Sequence, residues 1–162
     1  MAKGTIVESI KDALAVGSNI IESAKTEVAW LLPPNLLVFA DQFDITSKTK
    51  MLIENGGRVK GVFHISSPYV ELARLCLDIG EDVRHDDQYE GVFFLVADRT
   101  QSISSIHVNL EDLLVGDPVV AFWSVDSTYA EYLLSNFEQA WTQGVDAQER
   151  ISELLKEGPS QA

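Results

Sequence analysis

Apolar side chains dominate residues 90–98, where Val, Phe and Leu occupy consecutive positions. A strand with one face in solvent alternates apolar and polar side chains, so a continuous apolar run predicts a strand that is covered on both faces. We therefore expect the rest of the chain to supply helices for both faces of a sheet. The run ends on one carboxylate, Asp98, which the boundary between a strand and a turn favours by itself.

The first half of the chain alternates between two hydrophobic periods. Apolar residues spaced by three and four positions predict helices, whereas short apolar runs bounded by turn residues predict strands. Helices are expected over residues 5–25, 35–43, 46–54 and 67–80, and strands over residues 27–32 and 58–66. Because helices and strands alternate, we expect parallel strands joined by right-handed crossovers.

The second half of the chain has a different order. Strands are expected over residues 81–85, 91–98, 102–108 and 119–125, and amphipathic helices over residues 128–141 and 147–157. The connection after Asp98 is so short that it favours an antiparallel hairpin. The predicted fold class is therefore α/β, with a mixed β-sheet flanked by helices.

Three helix starts carry capping signals. Thr5 with Glu8 and Thr128 with Glu131 have the spacing of a capping box, in which each side chain bonds the backbone of the other residue. Asp146 is the expected N-cap of the last helix. These signals predict where the first, fifth and last long helical patterns begin.

The charge composition narrows the classes of partner. The chain has twelve basic and twenty-five acidic residues, which gives a formal net charge of -13 at pH 7. Such a surface repels phosphate backbones and anionic membrane surfaces over most of its area. Neither direct nucleic-acid binding nor membrane binding is therefore expected.

The remaining composition is typical of a folded intracellular protein. Hydrophobic residues make up 46% of the 162 residues, which suits a single core. The one cysteine, Cys76, lies in an apolar helical pattern and has no disulfide partner within the chain. Charges at Glu8, Lys11 and Asp12 interrupt the N-terminal pattern, so no signal peptide is expected and a cytoplasmic location is predicted.

Four segments together resemble the phospholipase D-like fold, in the single-repeat form found as sensory domains of archaeal-type transcription regulators and histidine kinases. The segments are GGRVKGVFHIS, GEDVRHDDQYEGVFFLVAD, AFWSVDSTYAEYLLSNFEQAW and DAQERISEL. The resemblance divides the chain into an N-terminal helix over residues 1–25 and a phospholipase D-like sensory domain over residues 26–158. That domain includes the C-terminal amphipathic helix, and residues 159–162 are expected to be a disordered tail.

Active members of the phospholipase D superfamily use a His, a Lys two residues later and an Asp seven residues after the His. The imidazole attacks phosphorus and later leaves, while the Lys neutralises charge on the equatorial oxygens. Counted back from Asp98, the His position is Gly91 and the Lys position is Phe93. The resemblance therefore implies a domain that is not an enzyme of this type and has no catalytic residues.

In open sheets with parallel strands, a ligand cleft lies beyond the carboxyl ends of the strands. We expect Arg84 or His64 to engage a small anion there, with Trp123 beside it. The alternatives are a surface ion pair for Arg84 and a core position for Trp123. The expected ligand-binding residues are His64, Ser66, Arg84, His85, Asp98, Trp123 and Ser124.

Carboxylates crowd around one histidine, and these are the ligands that a divalent cation needs. The residues concerned are Glu81, Asp82, His85, Asp86, Asp87 and Glu90. Their spacing matches no EF-hand or zinc pattern, so a solvated loop is the preferred interpretation and no metal or cofactor is expected. A Ser-His-Asp hydrolase built from Ser66, His64 or His107, and Asp98 lacks the nucleophile elbow G-x-S-x-G.

The sequence thus predicts a non-catalytic domain that senses a small-molecule ligand or transduces a signal. The resemblance implies a homodimer, and the expected output module is a kinase or a DNA-binding regulator. Two alternatives remain open. One is a protein–protein interaction scaffold without a ligand, its cleft filled by Phe93, Phe94 and Trp123. The other is a divergent phosphodiesterase or hydrolase.

Overall fold

A computed structural model describes residues 4–87, 89, 92–107 and 120–157. The strands are β1 (Gly4–Val7), β2 (Glu27–Leu31), β3 (Arg58–Phe63), β4 (Asp82–His85), β5 (Phe94–Ala97), β6 (Gln101–His107), β7 (Val120–Ser124) and β8 (Val145–Asp146). The helices are α1 (Ile10–Ser23), α2 (Pro34–Leu37), α3 (Ile45–Glu54), α4 (Val70–Asp78), α5 (Ser127–Gln143) and α6 (Ala147–Glu157). Two 3₁₀ turns cover Ala40–Phe43 and Ser67–Tyr69.

The described strands form one mixed sheet, which confirms the predicted fold class. Its strand order is β1-β7-β6-β5-β2-β3-β4-β8. β2, β3 and β4 run parallel, whereas β5 is antiparallel to β2 and forms the predicted hairpin with β6. The parallel strands therefore end at one edge of the sheet, where β5 begins.

The central strand β5 is buried on both faces, as its continuous apolar pattern predicts. Leu95 and Ala97 pack on the face covered by α1, α3, α4 and α6, which we call the α1 face. Phe94 and Val96 pack on the opposite face, which among the described helices is covered by α5 and which we call the α5 face. The sheet therefore separates two distinct cores.

The N-terminal segment departs from the predicted helix. Gly4–Val7 form a strand that pairs antiparallel with β7, and the helix starts only at Ile10. Ser9 is the cap, because its hydroxyl accepts the backbone N–H of Asp12 at 3.1 Å. The expected Thr5–Glu8 capping box is therefore wrong, since pairing with β7 extends the chain at Thr5.

The predicted cap of α5 is wrong, and the predicted cap of α6 is correct. α5 is capped by Asp126, whose Oδ1 accepts the N–H of Thr128 at 2.9 Å, so the Thr128–Glu131 box is wrong. Glu131 instead binds Arg99. Asp146 does cap α6, since its Oδ2 accepts the N–H of Glu149 at 3.2 Å.

The predicted domain limits fall inside one packed structure. α1 contacts α3 and the sheet strands, and Ile20 and Ile21 belong to the same core as β2 and β3. The predicted tail over residues 159–162 lies outside the described residues. Within the described ranges, no helix combines the length and the apolar character that crossing a membrane requires.

Candidate functional site

The carboxyl ends of the parallel strands bring two predicted histidines together. Phe63 of β3 lies opposite His85 of β4, so His64 follows directly beside His85. Their ring centroids are 5.1 Å apart. Ser66 lies two residues further along, where the first 3₁₀ turn after β3 starts. We call this edge of the sheet the His64 end.

His85 is hydrogen-bonded to the backbone and lies beside a carboxylate. The ring is only 3% exposed, and its Nδ1 accepts the backbone N–H of Ile65 at 2.8 Å. The ring proton of the neutral imidazole therefore lies on Nε2. This nitrogen is 2.6 Å from Asp87 Oδ1, but the angle at the proton is too small for a hydrogen bond. Burial lowers the pKa of His85 despite the nearby Asp87.

His64 is the accessible member of this cluster. Its side chain is about half exposed, and its Nδ1 lies 3.5 Å from Asp87 Oδ1. Potential ligand atoms of His64, His85 and Asp87 all lie within 4.8 Å of one another. A metal ion would need the lone pair of His85 Nε2, but that nitrogen carries the proton while Nδ1 accepts from Ile65. The arrangement therefore does not fit a bound metal.

Helix α6 is tied to the same end of the sheet. Arg150 Nε donates to the carbonyl oxygen of Ile65 at 3.1 Å, and its guanidinium is one of the charges that lower the pKa of His85. The buried side chains of Ala147 and Ile151 anchor this helix in the α1-face core. The cluster is thus fixed by strand ends and by a C-terminal helix.

Asp98 lies at the opposite edge, which we call the Asp98 end. Its carboxylate accepts four hydrogen bonds from the end of the α1–β2 connection and the first residue of β2. The donors are Lys25 N, Thr26 N and Oγ1, and Glu27 N. Although partial burial acts to raise it, these bonds lower the pKa of Asp98. Asp98 adopts φ 52°, which Asp tolerates in a turn. Its observed contacts fix a chain reversal.

The predicted residues of β7 also lie away from His64. Ser124 pairs with Ser102 of β6, which in turn faces Val96 near the Asp98 end. Ser124 is buried and its hydroxyl accepts the N–H of Asp126 at 3.0 Å. Trp123 is 37% exposed, so the alternative of a core position for it is wrong.

Arg84 belongs to the α5 face and not to either end. Its Nη1 donates to the carbonyl oxygen of Trp141 at 2.6 Å, and its guanidinium lies 4.3 Å from the centre of that indole. Lys60 approaches the same ring at 4.9 Å. The seven predicted residues therefore do not share one cleft, and the proposed hydrolase triad is separated because Asp98 and His64 occupy opposite ends. The side chain of His107 lies outside the described ones.

The position that would carry the catalytic Lys opens onto an apolar cavity. Phe93 and Phe94 line a space of about 90 Å³ between α1 and the sheet, whereas Trp123 does not line it. Gly91, at the His position, lies outside the described residues, as does Glu90. The other lining residues are Ile10, Ala13, Leu14, Gly17, Leu32, Pro33, Leu36, Ile45, Leu95, Ile103, Ser104, Ser105 and Ala121.

A second cavity of about 80 Å³ adjoins the first on the α1 face. It contains a buried carboxyl group, Glu81, whose Oε1 accepts the indole N–H of Trp30 at 2.7 Å. The indole crosses β3 at Gly61, where any Cβ would lie 2.1 Å from the ring. Burial raises the pKa of Glu81 to about 7, against hydrogen bonds from Trp30 and Cys76.

No protein-family model matches the sequence, and no curated protein matches it. Solved structures do match. TrmBL2, an archaeal chromatin protein with a novel mode of DNA binding, superposes with a TM-score of 0.72 at 13% identity, over 90% of this chain and 55% of TrmBL2. This chain has the phospholipase D-like fold. This chain thus spans about half the length of TrmBL2.

Two phospholipase D-like structures match over nearly their whole length. Nuc from Salmonella typhimurium, a phospholipase D family member, has a TM-score of 0.68 at 17% identity, covering 88% of this chain and 96% of Nuc. NucT from Helicobacter pylori has a TM-score of 0.66 at 15% identity, covering 89% and 98%. The resemblance predicted from sequence is therefore confirmed for the fold.

The prediction that nucleic acid is not contacted is contradicted by TrmBL2, because that protein shares the fold and binds DNA. The net charge of the whole chain does not describe each part of its surface. Charge can be distributed unevenly, and on the α5 face Arg58, Lys60 and Arg99 line a cavity of about 160 Å³ together with Glu27 and Glu138.

Proposed function

We propose that this chain is a non-catalytic, ligand-responsive domain of a regulatory protein. The observation that carries the proposal is the setting of Phe93, which occupies the Lys position, lines an apolar cavity and packs its ring beside Tyr89 against the α5-face core. A cavity without a cation suits binding better than the stabilisation of phosphoryl charge. The fold shared with an archaeal chromatin protein supports a regulatory setting.

The absence of phosphodiesterase chemistry is part of this proposal. His85 cannot serve as a nucleophile in its observed contacts, because Nδ1 accepts a backbone N–H and Nε2 carries the proton beside Asp87. Lys48 donates to Ser18, and Lys60 lies over Trp141. Neither of these lysines is therefore positioned to act with His64.

A second candidate function, a divergent hydrolase, is favoured by one observation. His64 is about half exposed and has Asp87 at 3.5 Å from its Nδ1, a spacing at which a carboxylate orients an imidazole. The hydrolase is tested by measuring the hydrolysis of bis(p-nitrophenyl) phosphate. The wild-type chain is compared with His64→Ala, with and without Mn²⁺. Turnover that depends on His64 would establish the hydrolase and overturn the non-catalytic proposal.

A thermal-shift screen against metabolites and nucleotides tests ligand response. A ligand present at a hundred times its Kd stabilises the folded state by about 2.7 kcal/mol, so a rise in Tm of several degrees is expected for the correct compound class. A matched titration follows the best compound in Phe93→Lys. We expect the added ammonium to weaken binding, because it would place a charge at the wall of an apolar cavity.

The regulatory context supplies further measurements. The homodimer stays a prediction, which light scattering checks. The output module, a kinase or a DNA-binding regulator, also stays a prediction, and copurification checks it. Fluorescence anisotropy with duplex DNA at low and physiological salt measures direct DNA contact by this chain. The cytoplasmic location is a prediction for fractionation.

A further inference from the structure

We propose that the two adjoining cavities of the α1 face form one binding site for an uncharged, largely apolar small molecule, and that Gly17 keeps this site open. The inference rests on the proposed ligand-responsive function and names the class of ligand. It places the ligand between α1, α2 and the sheet, beside Phe93 and away from the polar cluster at His64.

The two cavities are neighbours that share part of their lining. They have volumes of about 90 and about 80 Å³. Engineered apolar cavities of about 150 Å³ bind benzene, so either cavity alone is smaller than that space and the two together exceed it. The side chains that line both are Leu14, Leu32, Leu36, Ile45 and Leu95.

Four polar side chains that line the cavities have partners within the protein. Ser105 Oγ accepts the N–H of Phe93 at 3.0 Å, and Thr49 Oγ1 donates to the carbonyl oxygen of Ile45 at 2.8 Å. Ser104 Oγ pairs with Tyr129 on the other face, and Glu81 accepts from Trp30. An ion entering this space would lose its hydration without an equivalent partner among these groups, whereas an apolar molecule would not.

Gly17 is an unexpected residue for the middle of α1. A glycine in a helix interior is less favourable than alanine by up to about 1 kcal/mol. Gly17 has no positive φ, and a Cβ added to it would have no atom within 4 Å. Neither backbone strain nor a close contact therefore requires glycine here. Gly17 is buried and lines the first cavity, so its missing side chain enlarges that space.

Access to the site is provided by its weakest wall. α2 is a single helical turn of four residues, Pro34–Leu37, with Leu36 and Leu37 turned toward the cavities. One turn has few helical hydrogen bonds to lose, so its local opening costs less than separating strands of the central sheet. The following residues Val38 and Phe39 are exposed, which leaves this wall without a covering layer in the described part of the chain.

Toluene, benzoate and benzylammonium are suitable probes because they share one ring and differ in charge. Isothermal titration calorimetry of the full chain should show toluene binding with a negative heat-capacity change. Benzoate and benzylammonium should bind at least tenfold more weakly. Equal or tighter binding of either ion would overturn the assignment of an uncharged ligand.

Variants of one helix test the location. Gly17→Leu should place its side chain in the first cavity and lower toluene affinity at least tenfold, or about 1.4 kcal/mol. Gly17→Ala adds one methyl group without a steric conflict, so it should fold and lower the affinity less. Asn19→Ala changes an exposed position of the same helix and should leave the affinity unchanged.

The outcomes separate this inference from the proposed function. Toluene that binds Gly17→Leu as well as wild type, or that does not bind wild type, would overturn the site even if a metabolite raises Tm. Phosphodiester turnover that requires His64 would overturn the non-catalytic function even if toluene occupies the cavities as expected.

Discussion

The two faces of the sheet are packed by different kinds of helix. Among the described helices, α5 with 17 residues covers one face and buries Ala130, Leu133, Leu134, Phe137 and Ala140. The α1 face is covered by several helices, of which α1 has 14 residues and α2 only four. The two apolar cavities lie where these helices meet each other and the sheet, and the buried carboxyl group Glu81 lines the second of them. The two apolar cavities thus lie on the α1 face, whereas the cavity of about 160 Å³ on the α5 face is lined in part by charged side chains.

The largest expected difference between the faces comes from truncating one apolar side chain on each. Phe137 is 1% exposed and stacks on Trp141 with ring centroids 5.7 Å apart. Phe137→Ala should lower the free energy of unfolding by about 4 kcal/mol, measured by urea denaturation. Leu36→Ala, which widens a space that already exists, should cost less than about 2 kcal/mol. Equal losses would show that both faces are equally well packed.

Glu81 makes the α1 face sensitive to pH. Burial raises the pKa of Glu81 from 4.5 to about 7, so the folded state binds a proton that the unfolded state releases. This stabilisation of the folded state is fully present below about pH 4.5 and is lost as the pH rises to about 7, by roughly 3 kcal/mol in total. Urea denaturation at a series of pH values measures this loss.

A variant isolates the contribution of Glu81 from that of His85. Burial lowers the pKa of His85, so this residue has the opposite effect and stabilises the fold more as the pH rises toward 6.5. Glu81→Gln keeps an oxygen for Trp30 and removes the titration. The difference between wild type and Glu81→Gln should therefore change with pH, and a constant difference would contradict the assignment. Cys76, whose pKa is raised by burial, is the other titratable contact.

Asp98 shows what a saturated polar site does in this fold. Asp98→Ala removes four hydrogen bonds and leaves the N–H groups of Lys25, Thr26 and Glu27 to water, so it should cost about 2 kcal/mol. Asp98→Asn tolerates the same turn conformation and should cost less. Because these bonds lower the pKa of Asp98, its contribution is present above pH 4 and should fade as the pH falls below about 4. A loss of toluene affinity in Asp98→Asn at full stability would contradict a purely structural role.

The fold was accessible from local patterns because its central elements have unambiguous periods. The continuous apolar run of β5 and the alternating helix and strand order predicted a mixed sheet that the structure confirms. The strands β1 and β8 were missed because each is short and forms only through distant pairing, with β7 and β4. Thr5 and Ile6 fit a helix and a strand equally well until β7 is beside them.

The candidate site was much harder to predict from the sequence, because the carboxyl ends of antiparallel strands lie at opposite ends of a sheet. β7 is antiparallel to β3, so the carboxyl ends of these strands lie at opposite ends of the sheet. Ser124 at the end of β7 is therefore far from His64, which follows β3. The sequence pattern favours a solvated loop for Asp87, and only the fold places its carboxylate close to both His64 and His85. The cavities had one signal in the sequence, Gly17 within a helical pattern, and that signal resembles an ordinary helix break.

The smallest expected effect tests why the α1 face remains open. Gly17→Ala should raise the free energy of unfolding by about 0.5–1 kcal/mol, because alanine favours the helix and its methyl group meets nothing within 4 Å. Asn19→Ala should give a smaller gain, since it changes helix propensity at an exposed position. Urea denaturation of the two variants measures the difference. A destabilised Gly17→Ala would mean that the helix needs glycine for its backbone, whereas a stabilised variant with weaker toluene binding would mean that the wild-type chain gives up stability to keep this space.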